Sequence, residues 1–214
     1  MDSGTQGCPP WTDTGEHTSN KSASVAHRVL LRVIRENRSR GPDLAAIKSW
    51  HRELFVDFVP LDYYAGELRQ LDISRPCLAS NVRVDSKPGF HYSKVSAAMS
   101  SFSLALSRAI LDLEAKWSTA PVNDLTRQLA LVVGTAIGRF IQIHPFINGN
   151  GRTSRLLWAG LSVRYGFSPQ VSIVRRPGPP YSLVMREAMT GNFGPAVALV
   201  LIALANTPRV NLNA

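Results

Sequence analysis

The chain predicts an all-α fold that carries one small β-hairpin. Three observations lead there. Apolar residues recur mostly at helical spacing along the chain. Only the stretch from Asn81 to Tyr92 combines strand-like alternation with dense turn chemistry. No internal repeat is present, and 214 residues suit one domain with a short extension and a sizeable core.

The elements follow in order. Residues 1–22 are rich in Gly, Ser, Thr, Pro and Asn and read as a flexible N-terminal arm. Ser22 or Ser24 can cap a helix running to about Asn37, with Val25, Val29, Leu30, Val33 and Ile34 apolar. Residues 39–43 form a turn. Asp43 then caps a helix bearing Leu44, Ile47, Trp50, Leu54 and Phe55, closed by Pro60. Asn81, Val82, Arg83 and Val84 alternate as a strand, residues 85–89 supply a turn, and Phe90 to Tyr92 form the return strand. Lys94 to Trp117 carries a helical stripe of Val95, Met99, Phe102, Leu106, Ile110 and Leu113.

Asn123 or Asp124 caps the next helix, Leu125 to Ile143, which is apolar on most sides through Leu129, Leu131, Val132, Val133, Ala136, Ile137 and Phe140. A helix of that kind is central and buried. Gly134 and Gly138 would let a neighbour approach closely. Arg152 to Tyr165 is a second central helix ended by Gly166. Pro177 to Pro180 is a rigid connector, followed by helices Tyr181 to Thr190 and Pro195 to Asn206. The expected organisation is an arm at 1–22, a single domain at 23–206 with its core at about 44–200, and a tail at 207–214.

Composition narrows the function classes. No run approaches the 18 or so apolar residues a membrane span needs. Asp2, Glu16 and the lack of an apolar core argue against a secretory signal peptide. Cys8 and Cys77 lack metal-site spacing. They could pair, but the expectation is two free thiols in a cytoplasmic protein. The net charge of +9 is uneven: residues 121–214 hold nine arginines, no lysine, and only Asp124 and Glu187 as acids. That excess suits a polyanionic ligand. Nucleic acid is the disfavoured partner, since no helix-turn-helix, zinc-finger or aromatic RNA-binding pattern is present.

The basic half contains the most informative segment, His-Pro-Phe-Ile-Asn-Gly-Asn-Gly-Arg-Thr-Ser-Arg from His144 to Arg155. Gly149 and Gly151 permit tight turning and close approach of backbone to a ligand. Their N–H groups feed a helix N-terminus, which is an anion site. Arg152 and Arg155 share one helical face and add planar donors suited to phosphate. His144 beside them has the chemistry of a general base. Pro145 and Phe146 read as architectural.

This segment closely resembles the signature of the Fic family, His-Pro-Phe-x-(Asp/Glu)-Gly-Asn-Gly-Arg-x-x-Arg, with Asn148 standing where the family has an acid. The resemblance implies a Fic-type helical bundle with the hairpin as a flap beside the active-site loop. It implies transfer of AMP from ATP to a Ser, Thr or Tyr hydroxyl of a target protein. His144 would then be the base and Arg152 would neutralise the leaving pyrophosphate. Gly149, Asn150 and Gly151 would hold the inner phosphates, Arg155 would meet the γ-phosphate, and residues Asn81 to Val84 would dock the target. The family acid binds Mg²⁺ (or Mn²⁺) on the ATP phosphates. Asn148 offers only a neutral oxygen, a poorer ligand for a hard cation, so it is a weak metal candidate.

Two further stretches extend the likeness. His51-Arg52-Glu53-Leu54-Phe55 and then Ala65-Gly66-Glu67-Leu68-Arg69 resemble a helix and turn common in Fic domains. Tyr181, with Glu187-Ala188 and Gly191-Asn192, resembles the region closing over the base, so Tyr181 is a candidate adenine contact. Gly151, where the phosphorylating Doc-type members carry lysine, favours nucleotidyl transfer. The alternatives are another nucleotide or a phosphocholine donor, or a degenerate nucleotide-binding or interaction module. Many members are restrained by a helix of the form (Ser/Thr)-x-x-x-Glu-(Gly/Asn). Thr12 and Glu16 have its spacing, but His17 follows, and a separate antitoxin is the other expectation. A cytoplasmic toxin and an effector delivered into another cell would share this sequence pattern.

Overall fold

The computed structural model describes residues 7–11, 20–117, 119–168, 172–174 and 177–209. Seven α-helices stand among them: α1 (Asn20–Asn37), α2 (Leu44–Phe55), α3 (Tyr92–Trp117), α4 (Val122–Ile143), α5 (Asn150–Arg164), α6 (Tyr181–Ala188) and α7 (Gly194–Ala205). Beside them stand one antiparallel pair, β1 (Arg83–Val84) and β2 (Lys87–Pro88), and short 3-10 turns at Val56–Phe58, Asp62–Tyr64 and Pro76–Leu78. The all-α architecture with a small hairpin therefore matches the sequence expectation.

α4 is the hub, packing against α3, α5, α6 and α7. Its apolar residues Leu129, Val133, Ile137, Phe140 and Ile143 are fully buried. Each such side chain contributes ~1.5–3 kcal/mol of transfer free energy. Leu131, expected in the same core, is 57% exposed, so one face of α4 reaches solvent. A Cβ on Gly134 would lie 2.5 Å from the Cα of Val197, which is how α7 comes to rest on α4. α5 is buried from Thr153 through Val163 and is sandwiched by α4 on one side and α1 and α2 on the other.

The helix ends show where local signals act. The Asp43 carboxylate accepts the Ala46 N–H at 2.7 Å and caps α2 as expected. Neither Asn123 nor Asp124 caps α4, because the helix begins at Val122 with Pro121 in the cap position. α1 likewise begins at Asn20, ahead of Ser22 and Ser24. Gly166 ends α5 in the left-handed region, with φ of 85°.

The hairpin is tighter than the sequence suggested. Asp85 adopts φ of 54°, so the chain reverses immediately and Lys87–Pro88, expected as turn, is the return strand. The ladder continues through the Gly89 N–H to the Val82 carbonyl at 3.0 Å. Phe90, expected in the strand, instead donates its N–H to Ile143 at the end of α4, and Tyr92 opens α3.

The N-terminal segment brings a second difference. Cys8 and Cys77, expected as free thiols, form a disulfide. Trp11 is buried at 9% exposure, and the Tyr64 hydroxyl donates to the Pro9 carbonyl at 3.2 Å. Residues 7–11 of the predicted arm are thus fastened to the domain. Thr12 to Glu16, with its inhibitor-like spacing, lies outside the described residues.

Candidate functional site

The loop between α4 and α5 is shaped by two left-handed residues. His144 ends α4 with φ of 53° and Gly149 caps α5 with φ of 76°. For histidine that conformation is strained, so it must be held by its surroundings. Arg69 does this. Its guanidinium is fully buried and donates to four carbonyl oxygens: His144 at 2.8 Å, Ser80 at 2.9 Å, Phe90 at 2.8 Å and Ile143 at 3.1 Å. Burial pushes its pKa down to about 10, still far above neutrality. One cation therefore ties the end of α4, the approach to the hairpin and its exit into a single body.

His144 is half-buried on the cavity wall. Its Nδ1 lies 3.2 Å from the Ile141 carbonyl, which can only accept, so Nδ1 carries the proton and Nε2 keeps its lone pair. Burial lowers its pKa to about 4; the Ile141 hydrogen bond works against that shift and the Arg69 charge adds to it. The imidazole is neutral at pH 7 and competent to accept a proton at Nε2. The hairpin closes over it. A Cβ on Gly89 would lie 2.8 Å from the His144 Cβ, so glycine permits the approach.

Beneath the loop sits a second histidine. The Gly66 N–H donates to His51 Nδ1 at 2.8 Å, so the proton is on Nε2, which donates to the Asn148 carbonyl at 3.0 Å. The ring stacks on Phe146 with centroids 3.7 Å apart. Burial lowers its pKa to about 3, and the bond to Asn148 opposes that shift. His51 is a neutral structural pin. Phe55, one turn along α2, carries the Arg152 guanidinium 5.5 Å above its ring. It also fills the space that a side chain at position 149 would need. The helix-and-turn stretch around residues 51–69 is thus the floor of the loop.

The loop residues divide by what their side chains do. Asn150 is buried at 2% exposure, and its amide bonds both to the Phe146 N–H at 3.0 Å and to the Phe146 carbonyl at 2.9 Å. Its side chain thus braces the loop. Asn148 is also engaged: Nδ2 donates to the Trp11 carbonyl at 3.0 Å and Oδ1 accepts the Gly149 N–H at 2.7 Å. The helix bond closing the cap runs from the Thr153 N–H to the Gly149 carbonyl, so the N-terminal end of α5, the end of a helix that attracts anions, lies at this loop.

A cavity of about 620 Å³ gathers these groups. His144, Asn148, Gly149, Asn150, Gly151, Arg152, Arg155 and Tyr181 all line it, as do Val82, Arg83 and Val84 of the hairpin. Asn81 does not line it; its side-chain oxygen accepts the Tyr92 N–H at 3.3 Å. Arg155 is buried at 3% exposure, its Nε donating to the Ser172 carbonyl at 2.7 Å, with its guanidinium 5.8 Å from the Tyr181 ring. Tyr181 stacks near-parallel on Trp158, and its buried hydroxyl has no hydrogen-bond partner among the described residues. Sequence reading missed Arg69 as a hub, His51 as a pin and Trp11 as a wall. The first two sit in the motifs it singled out. Trp11 had no local signal.

The site does not offer a ready metal cage. No group of three or more His, Cys, Asp or Glu side chains is placed to hold an ion among the described residues. The Asn148 oxygen faces an N–H donor, a geometry that does not suit a cation.

Comparison with known proteins places this geometry. The Fic/DOC family model matches residues 42–160. The protein adenylyltransferase Fic of Drosophila grimshawi is 40% identical over 62 residues, 29% of this chain and 13% of that protein. The corresponding Drosophila erecta protein is 40% identical over the same length, which is 12% of it. The chain therefore matches only a small part of these relatives. Among solved structures, the Bartonella tribocorum effector BepC with bound AMPPNP has a TM-score of 0.57 at 18% identity, covering 90% of this chain and 89% of that one. The N-terminal Fic domain of a VirB-translocated Bartonella quintana protein with bound ADP has a TM-score of 0.54 at 20% identity, covering 85% and 84%. These likenesses show a shared fold. With a family match across more than half its length and a helical bundle whose loop, floor and hairpin meet at one cavity, the chain belongs to the Fic/DOC family.

Proposed function

We propose that this protein is an adenylyltransferase that moves AMP from ATP to a Ser, Thr or Tyr hydroxyl of a target protein. The observation that carries the reading is the convergence on one cavity of a neutral imidazole with Nε2 free to accept, a helix N-terminus, and two arginines. In this reading His144 Nε2 takes the proton as the hydroxyl oxygen attacks the α-phosphorus, and the bond to the pyrophosphate oxygen breaks. The N–H groups at the start of α5 and the Arg152 guanidinium stabilise the departing charge, since such transfers depend on positioning and charge neutralisation. Arg155 meets the γ-phosphate, and Tyr181, on the cavity wall, is the adenine contact.

Mg²⁺ or Mn²⁺ enters as part of the nucleotide substrate, held by the phosphate oxygens and water rather than by a protein carboxylate. The hairpin supports target docking, because β1 and β2 form a two-stranded sheet beside the cavity and extended peptides add to exposed strand edges. A separate antitoxin is proposed as a further partner. No described helix is long and apolar enough to cross a membrane.

A second reading is favoured by Asn148, whose amide is bonded within the protein: a module that binds nucleotide without transferring it. One experiment separates the two. The protein is incubated with labelled ATP, Mg²⁺ or Mn²⁺ and candidate targets, beside His144→Ala. Transfer by the wild type alone is expected. Equal labelling by both proteins overturns the catalytic reading, and calorimetric binding with no transfer selects the second.

A further inference from the structure

The N-terminal segment reaches the phosphate loop by three routes that converge on Trp11. Its carbonyl accepts the Asn148 amide at 3.0 Å. Its ring meets His51 edge-on at 5.9 Å, and His51 holds the Asn148 carbonyl and stacks on Phe146. The same ring meets Phe55 at 5.2 Å, and Phe55 lies under Arg152. Trp11 itself lines the cavity. Three residues earlier, Cys8 is joined to Cys77 across 69 positions of sequence. Between them Pro9 is held by the Tyr64 hydroxyl, and Tyr64 stacks on Trp11.

We propose that residues 8–11 form a disulfide-anchored buttress of the loop, with Asn148 as the positioning residue that clasps it. The competence of the loop then depends on the Cys8–Cys77 bond. This accounts for the amide at position 148. An ionised carboxylate has no proton to give the Trp11 carbonyl and would face it oxygen to oxygen. The amide supplies a donor to Trp11 and an acceptor to Gly149 at once.

The test has two arms, of which only the second rests on the nucleotide reading. In the first, the full chain is labelled with 5-fluorotryptophan, and the Trp11 resonance is assigned through Trp11→Phe. Hydrogen exchange is followed at the amides of residues 146–152. Reduction with a phosphine is expected to move the Trp11 signal toward its solvent-exposed value and to speed loop exchange, and reoxidation to restore both. Asn148→Asp, with the disulfide intact, is expected to do the same without reduction. A reduced protein whose loop keeps its protection overturns the role of the disulfide. An Asn148→Asp protein with Trp11 still buried overturns the clasp.

In the second arm, ATP affinity is measured by calorimetry on the oxidised and the reduced protein. Loosening a loop held by one such hydrogen bond and its packing corresponds to a loss of about tenfold. Unchanged affinity beside faster loop exchange overturns the link from buttress to ligand. Absence of ATP binding in the oxidised protein counts against the proposed function and leaves the first arm intact.

Discussion

Arg69 gives the strongest quantitative test of how the site is held. Replacing it with methionine removes a fully buried cation and takes a donor from the carbonyls of Ser80, Phe90, Ile143 and His144, of which Ile143 keeps the Phe90 N–H. A hydrogen bond to a charged group is worth ~1.5–3 kcal/mol, but the four share one guanidinium and are not additive. Relief of the cation's own desolvation offsets part of the loss. The net expectation is a destabilisation of about 3–5 kcal/mol, or roughly 10 °C in Tm for a chain of this size. The assay is urea denaturation combined with NMR titration of the His144 imidazole. Burial is the main cause of the lowered His144 pKa and the Arg69 charge a lesser one, so Arg69→Met should raise it slightly. Arg69→Lys keeps the charge but cannot fork to four carbonyls, so it should lose stability while leaving the imidazole titration nearer to wild type. A loss below about 1 kcal/mol in Arg69→Met would refute the view of Arg69 as the hub that holds the geometry, and a His144 pKa lower than in the wild type would refute its share in the imidazole's titration.

Other outcomes follow from the same geometry. Arg155→Ala should weaken ATP binding by roughly ten- to a hundredfold, and AMP binding far less, whereas Arg152→Ala should weaken ATP and ADP alike; calorimetry with the three nucleotides decides, and equal loss of ATP and AMP refutes the orientation. His51 and His144 are neutral in the fold at pKa values of about 3 and about 4, below their unfolded value near ~6.5. The unfolded chain therefore binds more protons between those limits, so stability should be full above pH ~6.5 and fall by a few kcal/mol as pH drops toward 3. Denaturation at several pH values checks this, and His51→Gln should flatten the slope. Gly89→Ala should push the hairpin from His144, lowering transfer severalfold while two-state stability changes by only about 1 kcal/mol.

Much of this protein was written in its sequence because local chemistry carries it. Helical periodicity marked α1, α2 and α3 nearly to their ends, since an amphipathic stripe has one way to be buried. Asp43 capped its helix because a cap needs only the residues beside it. The segment from His144 to Arg155 announced the Fic/DOC family because a glycine turn, a helix start and two arginines stand at fixed spacing within it. What the sequence could not decide were contacts between residues far apart in the chain. The turn begun at Asp85 was drawn too long, over Lys87 and Pro88, because its left-handed backbone was not encoded by a glycine. The partners that the Asn148 and Asn150 side chains take within the protein become visible only when the loop is folded. Arg69 meets His144 across 75 positions, Asn148 meets Trp11 across 137, and Cys8 finds Cys77 across 69. A residue type states which bonds it can make. Only the packed tertiary structure, by excluding water and bringing distant backbone together, chooses which of them it does make.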